Sequence, residues 1–293
     1  MIDESVTVDE FLSSLRVVDP QRYKNLMILP LLSDKVKDLK LKSLEEALES
    51  DTIEISELDG GGSVPSLRFI NKGDEPVLIL DGSIIKGNQQ DRTIRRSIIV
   101  PAHETAIADV FCVEEGRWSA SRDKKPYKPD HNISADIRLN FSSSDQTEIW
   151  RKLKRKATRM NSASKTEAID QLYQDYEKHL EEFKKAFVCL PEYVGMIGII
   201  EGKPIVMDVC GVNNIFHKQF PSLIGGLAID ALDKGFCDEV KKTKDLTYRD
   251  FLREIIKAKK ENIGGSVGIE ANKVIGRALI SADVVIHLEA FAK

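Results

Sequence analysis

The sequence predicts an α+β protein whose core is mainly antiparallel β-structure, arranged as a sandwich or a half-barrel. Apolar runs of strand length follow one another between residues 52 and 113, joined by links too short for crossover helices. A long amphipathic helical region comes next, and the last third of the chain has the pattern of a hairpin, helices and closing strands. We expect one domain over residues 1–293, with a polar loop and helical insertion at about 119–187.

The N-terminal segments alternate between helix and strand patterns. Val6–Val17 has apolar residues three and four positions apart, which predicts a short helix, and the apolar run Leu26–Leu32 predicts a buried strand. Ser43 is followed three positions later by Glu46, which is the arrangement of a capping box. A second helix is therefore expected to begin there.

The β-rich block consists of five strand-like runs separated by turns. Alternating or continuous apolar residues predict a strand in each run: 52–57, 67–71, 77–80, 93–100 and 105–113. Gly60-Gly61-Gly62 and residues 72–75 are predicted turns. Ser119–Ser144 is polar and contains two prolines and a run of serines, which is typical of a surface loop.

The second half of the chain is predicted to be helical first and mixed afterwards. Residues 145–187 form the amphipathic helical region, with a break near Asn161-Ser162, and Glu201-Gly202-Lys203 joins two apolar runs into a hairpin. The remaining segments are predicted as helices 215–232 and 248–260, a flexible glycine-rich link at 264–268, and strands 273–280 and 283–288. We expect the last strands to pair with the β-rich block and to close one domain.

Composition argues against several classes of function. The formal net charge is −4, from 43 basic and 47 acidic residues, which gives no overall attraction to nucleic acid or to an anionic membrane. The four cysteines lie far apart in sequence, no histidine spacing matches a metal motif, and no Rossmann, P-loop or GxSxG pattern is present. We therefore expect a cytoplasmic protein with reduced cysteines, no membrane span and no metal, and the cofactor is left unknown.

Polar side chains between the third and fourth predicted strands are the first candidate site. Gly87 permits a tight turn, the amide of Gln90 can donate and accept hydrogen bonds, and Arg92 can bind phosphate or carboxylate. This combination points to a polar or phosphorylated ligand. The structural alternative is a polar loop in which Arg92 pairs with Asp91 or Asp81.

A second candidate site follows the fifth predicted strand. Glu114 can act as an acid, a base or a polar anchor, and Arg117 and Trp118 can bind a planar ligand and stack on it. Cys112 beside Glu114 is a candidate nucleophile, but its phase along the strand predicts burial. Glu114 is therefore the predicted catalytic residue. The predicted ligand-binding residues are Gln90, Arg92, Arg117 and Trp118.

Three segments resemble the signature of the ARG and rhodanese-phosphatase-superfamily-associated protein domain: VLILDGSIIKGNQQDR, SIIVPAHE and CVEEGRW. The terminal HLEAF and the earlier NLMILPLL fit the same pattern, so the resemblance extends from Asn25 to the C-terminus. At Gln89 the chain departs from the family's frequent Lys-Gln-Asn-Arg, which weakens a charge-based role at that position. The matching residues are Gln90, Arg92, Cys112, Glu114, Gly116, Arg117 and Trp118.

The resemblance implies genomic company with ADP-ribosylglycohydrolases and phosphatases, and a part in NAD, ADP-ribose or nucleotide metabolism without an established reaction. The first hypothesis is a protein that binds or processes a nucleotide or an ADP-ribose-like ligand, and whether it is an enzyme stays open. The alternative is a non-catalytic regulatory module, in which the helical region and helix 215–232 form a homodimer or bind a protein partner. Nucleic-acid binding by the basic run Arg151–Arg159 is a third hypothesis, although a solvated helix face explains that run equally well.

Overall fold

The protein is described by a computed structural model that covers residues 4–58, 66–87, 90–116, 131–235, 247–263 and 265–293. The fold is α+β, which confirms the predicted class: the described residues contain eight helices and 17 strands, and one sheet is a half-barrel. All of the strand pairs within the sheets are antiparallel except one short parallel pair between residues 42–43 and 77–78. Within the described ranges, no helix combines the length and the apolar character needed to cross a membrane.

The helices are numbered in chain order. They are α1 (Glu4–Ser14), α2 (Leu44–Glu49), α3 (Ala135–Arg138), α4 (Gln146–Arg159), α5 (Ile169–Asp175), α6 (Glu177–Ala186), α7 (Ile215–Asp233) and α8 (Tyr248–Lys257). The predicted capping box is present at α2, where Glu46 N donates to Ser43 Oγ and Ser43 N donates to the Glu46 carboxylate. Thr247 is the N-cap of α8, since Asp250 N donates to its hydroxyl.

The strands are numbered likewise. They are β1 (Arg16–Val17), β2 (Gln21–Tyr23), β3 (Leu26–Leu32), β4 (Lys42–Ser43), β5 (Ile53–Glu57), β6 (Ser66–Asn71), β7 (Val77–Ile79), β8 (Ile84–Ile85), β9 (Arg92–Ile94), β10 (Ile98–Val100), β11 (Thr105–Cys112), β12 (Gly195–Ile200), β13 (Lys203–Val209), β14 (Lys259–Asn262), β15 (Ser266–Glu270), β16 (Val274–Ser281) and β17 (Val284–Ala292). The predicted hairpin is β12–β13. Glu201 and Gly202 both have positive φ in its turn, as a two-residue hairpin loop requires.

The chain divides into two compact units, Met1–Leu39 with Phe183–Lys293 (unit 1) and Lys40–Glu182 (unit 2). Unit 1 contains a nine-stranded sheet in the order β1-β3-β12-β13-β17-β16-β15-β14, with β2 also paired to β3. Its apolar core joins Phe11 and Leu12 of α1 and Phe251 of α8 to the sheet. Helix α7 packs on strands β3 and β12.

Unit 2 contains a five-stranded sheet in the order β5-β6-β11-β9-β8 and a three-stranded sheet in the order β10-β7-β4. Leu67, Phe69, Val77 and Val110 belong to its apolar core. The long strand β11 pairs with β6 through its first half and with β9 through its last three residues. This change of partner sets the end of β11 against the start of β9.

Three predictions about the strands are wrong. The run 93–100 forms two strands in different sheets, because the chain bends at Arg95 and Arg96, which bond to Phe141 O and to Asp109 respectively. The glycine-rich link at 264–268 contains most of β15, which pairs with β14 and β16. The last strands do not pair with the β-rich block, because β17 lies between β13 and β16.

The predicted helices need smaller corrections. Helix α1 includes Glu4 and ends at Ser14, whereas the predicted helix ran from Val6 to Val17. The 145–187 region contains three helices, α4, α5 and α6, and the break between α4 and α5 includes Asn161, which has positive φ. Helix α7 extends one residue beyond its predicted end, to Asp233. Neither the predicted turn at 60–62 nor residues 119–130 of the predicted loop fall within the described residues.

Candidate functional site

Strand pairing brings Arg92 and Cys112 together in unit 2. Arg92 is the first residue of β9 and Cys112 the last of β11, and the two are directly opposite in the antiparallel ladder. Directly opposite residues have neighbouring side chains, so residues separated by a loop and two strands meet at one point. On its other side, Arg92 is paired with Ile85 of β8.

The Arg92 guanidinium is buried, and only 3% of the residue is exposed. Its Nη1 donates to Gln90 Oε1 at 2.7 Å and contacts Cys112 Sγ at 2.8 Å, and its Nη2 lies 3.8 Å from Glu57 Oε1. Its Nε and Glu57 Oε1 are both buried and have no hydrogen-bond partner within the described residues. The guanidinium is therefore held by an amide and a thiol, with the carboxylate beyond hydrogen-bond distance. We call Glu57, Gln90, Arg92 and Cys112 the Arg92 cluster.

Hydrogen bonds link Gly87, Asp91 and Glu114 next to Arg92. Gly87 N donates to Asp91 Oδ1 at 3.0 Å, and Asp91 N donates to Glu114 Oε2 at 3.2 Å. Val113 N donates to Asp91 O at 2.9 Å. Glu114 is 4% exposed, so its carboxylate holds the loop from inside the protein. Its predicted role as an acid or base stays a prediction.

Cys112 is less buried than its strand phase predicts, because β11 ends there and the thiol is half-exposed. Gln146 of α4 holds its backbone: Cys112 N donates to Gln146 Oε1 at 2.8 Å, and Gln146 Nε2 donates to Cys112 O at 2.9 Å. Burial raises the pKa of the Cys112 thiol, although the charge of Arg92 opposes the increase. At neutral pH the group is therefore a thiol, not the thiolate that a nucleophile requires.

Asp81, one of the two partners considered for Arg92, pairs with Arg138, while the Arg92 guanidinium contacts Gln90, Cys112 and Glu57. Arg138 Nε donates to Asp81 Oδ2 at 2.9 Å and Arg138 Nη2 donates to Asp81 Oδ1 at 3.1 Å, with both residues buried. Ser97 Oγ and Asn132 Nδ2 also donate to oxygen atoms of Asp81. This buried network belongs to the scaffold of unit 2.

The structure brings together some of the predicted site residues. Gln90 and Arg92 are in direct contact, and Glu114 reaches the same loop through Asp91. Arg117, Trp118 and Gln89 lie outside the described residues. The sequence analysis missed Glu57 and Gln146, because they come from β5 and α4 and no sequence pattern links them to Arg92 or Cys112.

Two other places in unit 1 have features of a site. Asp208 of β13 lies beside His287 and Glu289 of β17, and all three residues are buried, although their sequence spacing indicates nothing. Separately, a cavity of about 380 Å³ lies between α1, the segment 35–37 and the turn before β17. The polar residues that line it are Thr7, Glu10, Lys35, Lys37 and Asp283.

Comparison with known proteins gives one match. A family model described as the ARG and Rhodanese-Phosphatase-superfamily-associated Protein domain matches residues 14–291. No curated protein and no solved structure matches the chain.

Proposed function

The chain belongs to the ARG and Rhodanese-Phosphatase-superfamily-associated Protein domain family, and from this premise we propose that it binds a nucleotide or an ADP-ribose-like ligand at the Arg92 cluster. The phosphate of the ligand would accept hydrogen bonds from the guanidinium. The family's name associates it with ARG and phosphatase proteins, and the resemblance of the motifs around Arg92 implies the same metabolic setting. The proposal is for binding, and no reaction is assigned.

The observation that carries this proposal is the incomplete hydrogen bonding of the buried Arg92 guanidinium. A buried guanidinium is stabilised by filling its donors with charged acceptors, and an unfilled buried donor costs about 1–3 kcal/mol. In the described residues Arg92 has two short contacts to uncharged groups, an unfilled Nε and a carboxylate only at 3.8 Å. A phosphate offers the charged oxygen atoms that this guanidinium lacks.

The surroundings of Arg92 favour binding over covalent catalysis. Hydrogen bonds hold Asp91, the residue before Arg92, between Gly87 and Glu114, and such order before binding reduces the entropy lost when a ligand binds. The raised pKa of Cys112 leaves a neutral thiol, which is a poor nucleophile. Glu57 and Cys112 are the half-exposed members of the cluster, so a ligand would approach from their side.

The alternative hypotheses find less support among the described residues. Both helical segments that would serve as a partner or dimer surface turn their apolar residues inward, since 14 residues of α7 are buried, as are Leu172, Tyr173 and Leu180 of the amphipathic region. The basic run on α4 is largely matched by acidic groups: Arg151 and Lys152 lie beside Glu148, and Lys154 beside Glu167.

Isothermal titration calorimetry with ADP-ribose, ADP and inorganic phosphate tests the proposal. We expect the wild-type protein to bind ADP-ribose or ADP, and Arg92→Met to weaken binding by about tenfold to a hundredfold, because a charge-assisted hydrogen bond contributes about 1.5–3 kcal/mol. The control is Arg96→Met, which removes another guanidinium of unit 2, one paired with Asp109. We expect it to bind within about twofold of wild type.

A second measurement uses only the wild-type protein and so does not depend on the folding of a variant. Because Arg92 Nη1 contacts Cys112 Sγ, a ligand bound there should slow alkylation of Cys112. Cys189, in unit 1, is the internal reference. Three results would contradict the proposal: none of the three ligands binds to wild type, Arg92→Met binds as tightly as wild type, or bound ligand leaves the rate of Cys112 alkylation unchanged.

A further inference from the structure

The nine-stranded sheet of unit 1 carries three ionisable side chains on one face, at a point where its other face is apolar. Asp208 of β13 is directly opposite Glu289 of β17, and His287 is two residues before Glu289. Side chains two residues apart on a strand share a face, so the three lie together. Met207, Leu288 and Ala290 alternate with them and belong to the apolar core on the opposite face.

The distances within this group link both ring nitrogens of His287 to carboxylates. His287 Nε2 lies 3.4 Å from Asp208 Oδ1, and His287 Nδ1 lies 3.3 Å from Glu289 Oε2. The side chains of His287, Asp208 and Glu289 are 0%, 1% and 9% exposed. Both carboxylates therefore lie within reach of one buried imidazole.

We infer that these three residues form a binding site for a divalent transition metal, in which His287 and Glu289 bind the ion and Asp208 orients the imidazole. Imidazole with carboxylate is a donor set that suits ions such as Zn²⁺ and Mn²⁺. Bonds of about 2.0–2.1 Å at a tetrahedral angle place two donor atoms about 3.3–3.4 Å apart, which agrees with the separation of Nδ1 and Oε2. This inference is independent of the Arg92 cluster.

The roles of the two carboxylates follow from their positions. A metal-binding histidine usually gives its second nitrogen to a carboxylate, which fixes the ring. Asp208 is the more deeply buried carboxylate and has the shorter side chain, so it is suited to hold Nε2. Glu289 is the more exposed of the two and has the longer side chain, so it is suited to bind the ion.

Metal binding to the full-length protein tests this inference. After treatment with a chelator and its removal, wild type is titrated separately with Zn²⁺, Mn²⁺ and Co²⁺, and the bound metal is counted by mass spectrometry. We expect one equivalent of at least one ion per chain. His287→Gln and Glu289→Gln should weaken binding by more than about 100-fold, and Asp208→Asn by about 10–100-fold.

The matched control is His103→Gln, because His103 Nε2 also lies near a carboxylate, 2.9 Å from Asp74 Oδ1, but on the exposed surface. It should bind metal as wild type does. If the buried variants fail to fold, electron spin-echo spectroscopy of wild type with Mn²⁺ decides the question, since a histidine ligand gives a nitrogen coupling. Three results would overturn the inference: no ion binds with a stoichiometry of one per chain, the nitrogen coupling is absent, or His287→Gln binds metal as wild type does.

Discussion

Gly82 shows how strongly a single residue is constrained in the segment around Asp81. Its φ is +75°, and a Cβ at this position would lie 2.3 Å from Asn132 Oδ1 and 2.8 Å from Arg138 Cδ. Asn132 and Arg138 both donate hydrogen bonds to Asp81. The absence of a side chain at Gly82 therefore lets the buried ion pair close, and the Asp-Gly sequence has a structural reason independent of any ligand.

We predict that Gly82→Ala lowers the free energy of unfolding by at least about 3 kcal/mol, because it adds a clash in a buried network to an unfavourable φ. Gly265→Ala is the control, since Gly265 has a similar φ of +80° and no heavy atom within 4 Å of the added Cβ. Gly265→Ala should lower the free energy of unfolding by about 1 kcal/mol, because only the unfavourable φ opposes it. Urea unfolding measures both, and equal losses would show that the Asp81 network tolerates the extra atom.

At the scale of elements, the sequence predicts well what depends on local pattern. Strand β3 matches its prediction to the residue, and the capping box at Ser43 and the turn at Glu201-Gly202 are present, because each depends on neighbours within a few positions. The split between β9 and β10 was missed because it depends on Asp109 and Phe141, which lie far along the chain. Strand β15 was not predicted because its glycine-rich sequence has a low strand propensity. Its pairing with β16 outweighs that low propensity.

The residues of the candidate sites also divide into those that a local sequence pattern predicts and those that it does not. Gln90 and Arg92 are two residues apart and were predicted together, and their contact is present. Glu57 approaches them from β5, which β6 and β11 separate from β9 in the five-stranded sheet. Asp208 meets His287 through the pairing of β13 with β17. Sequence spacing carries no information on either, so a single sequence predicts part of the Arg92 cluster and none of the group around His287.

The C-terminus of helix α7 is capped by a side chain that is distant in sequence. Asn25, in the turn between β2 and β3, is fully buried, and its Nδ2 donates to Ala231 O at 2.8 Å and to Gly235 O at 2.6 Å. The last carbonyl groups of a helix have no partner within the helix, so a buried helix end requires such a donor. Asn25 therefore fixes the position of α7 on the sheet of unit 1.

We predict that Asn25→Ala lowers the free energy of unfolding by about 1–3 kcal/mol, because it leaves buried carbonyl groups without their donor. Asn262→Ala, at an exposed asparagine of β14, is the control and should change stability by less than about 0.5 kcal/mol. Hydrogen exchange of amides near the end of α7 adds a local measurement. Unchanged exchange there in Asn25→Ala would mean that the cap contributes little.

At the scale of the whole molecule, the two units differ in how the chain builds them. Unit 2 is one continuous segment, and each of its strands β4–β11 pairs with another strand of the same unit. Unit 1 combines two segments, because β3 from the first segment pairs with β12 from the second. Each unit also has an apolar core of its own.

We therefore predict that residues 40–182 fold when expressed alone, since a continuous segment of this length with its own core is typical of an independent domain. Thermal unfolding followed by near-ultraviolet circular dichroism should show one cooperative transition. The matched control is residues 183–293, which lack β3 and the Phe11 and Leu12 side chains of the core. Without them β12 has a free edge and the sheet loses part of its apolar cover, so this fragment should not fold cooperatively. A cooperative transition in the control, or its absence in residues 40–182, would show that chain continuity does not determine which unit folds alone.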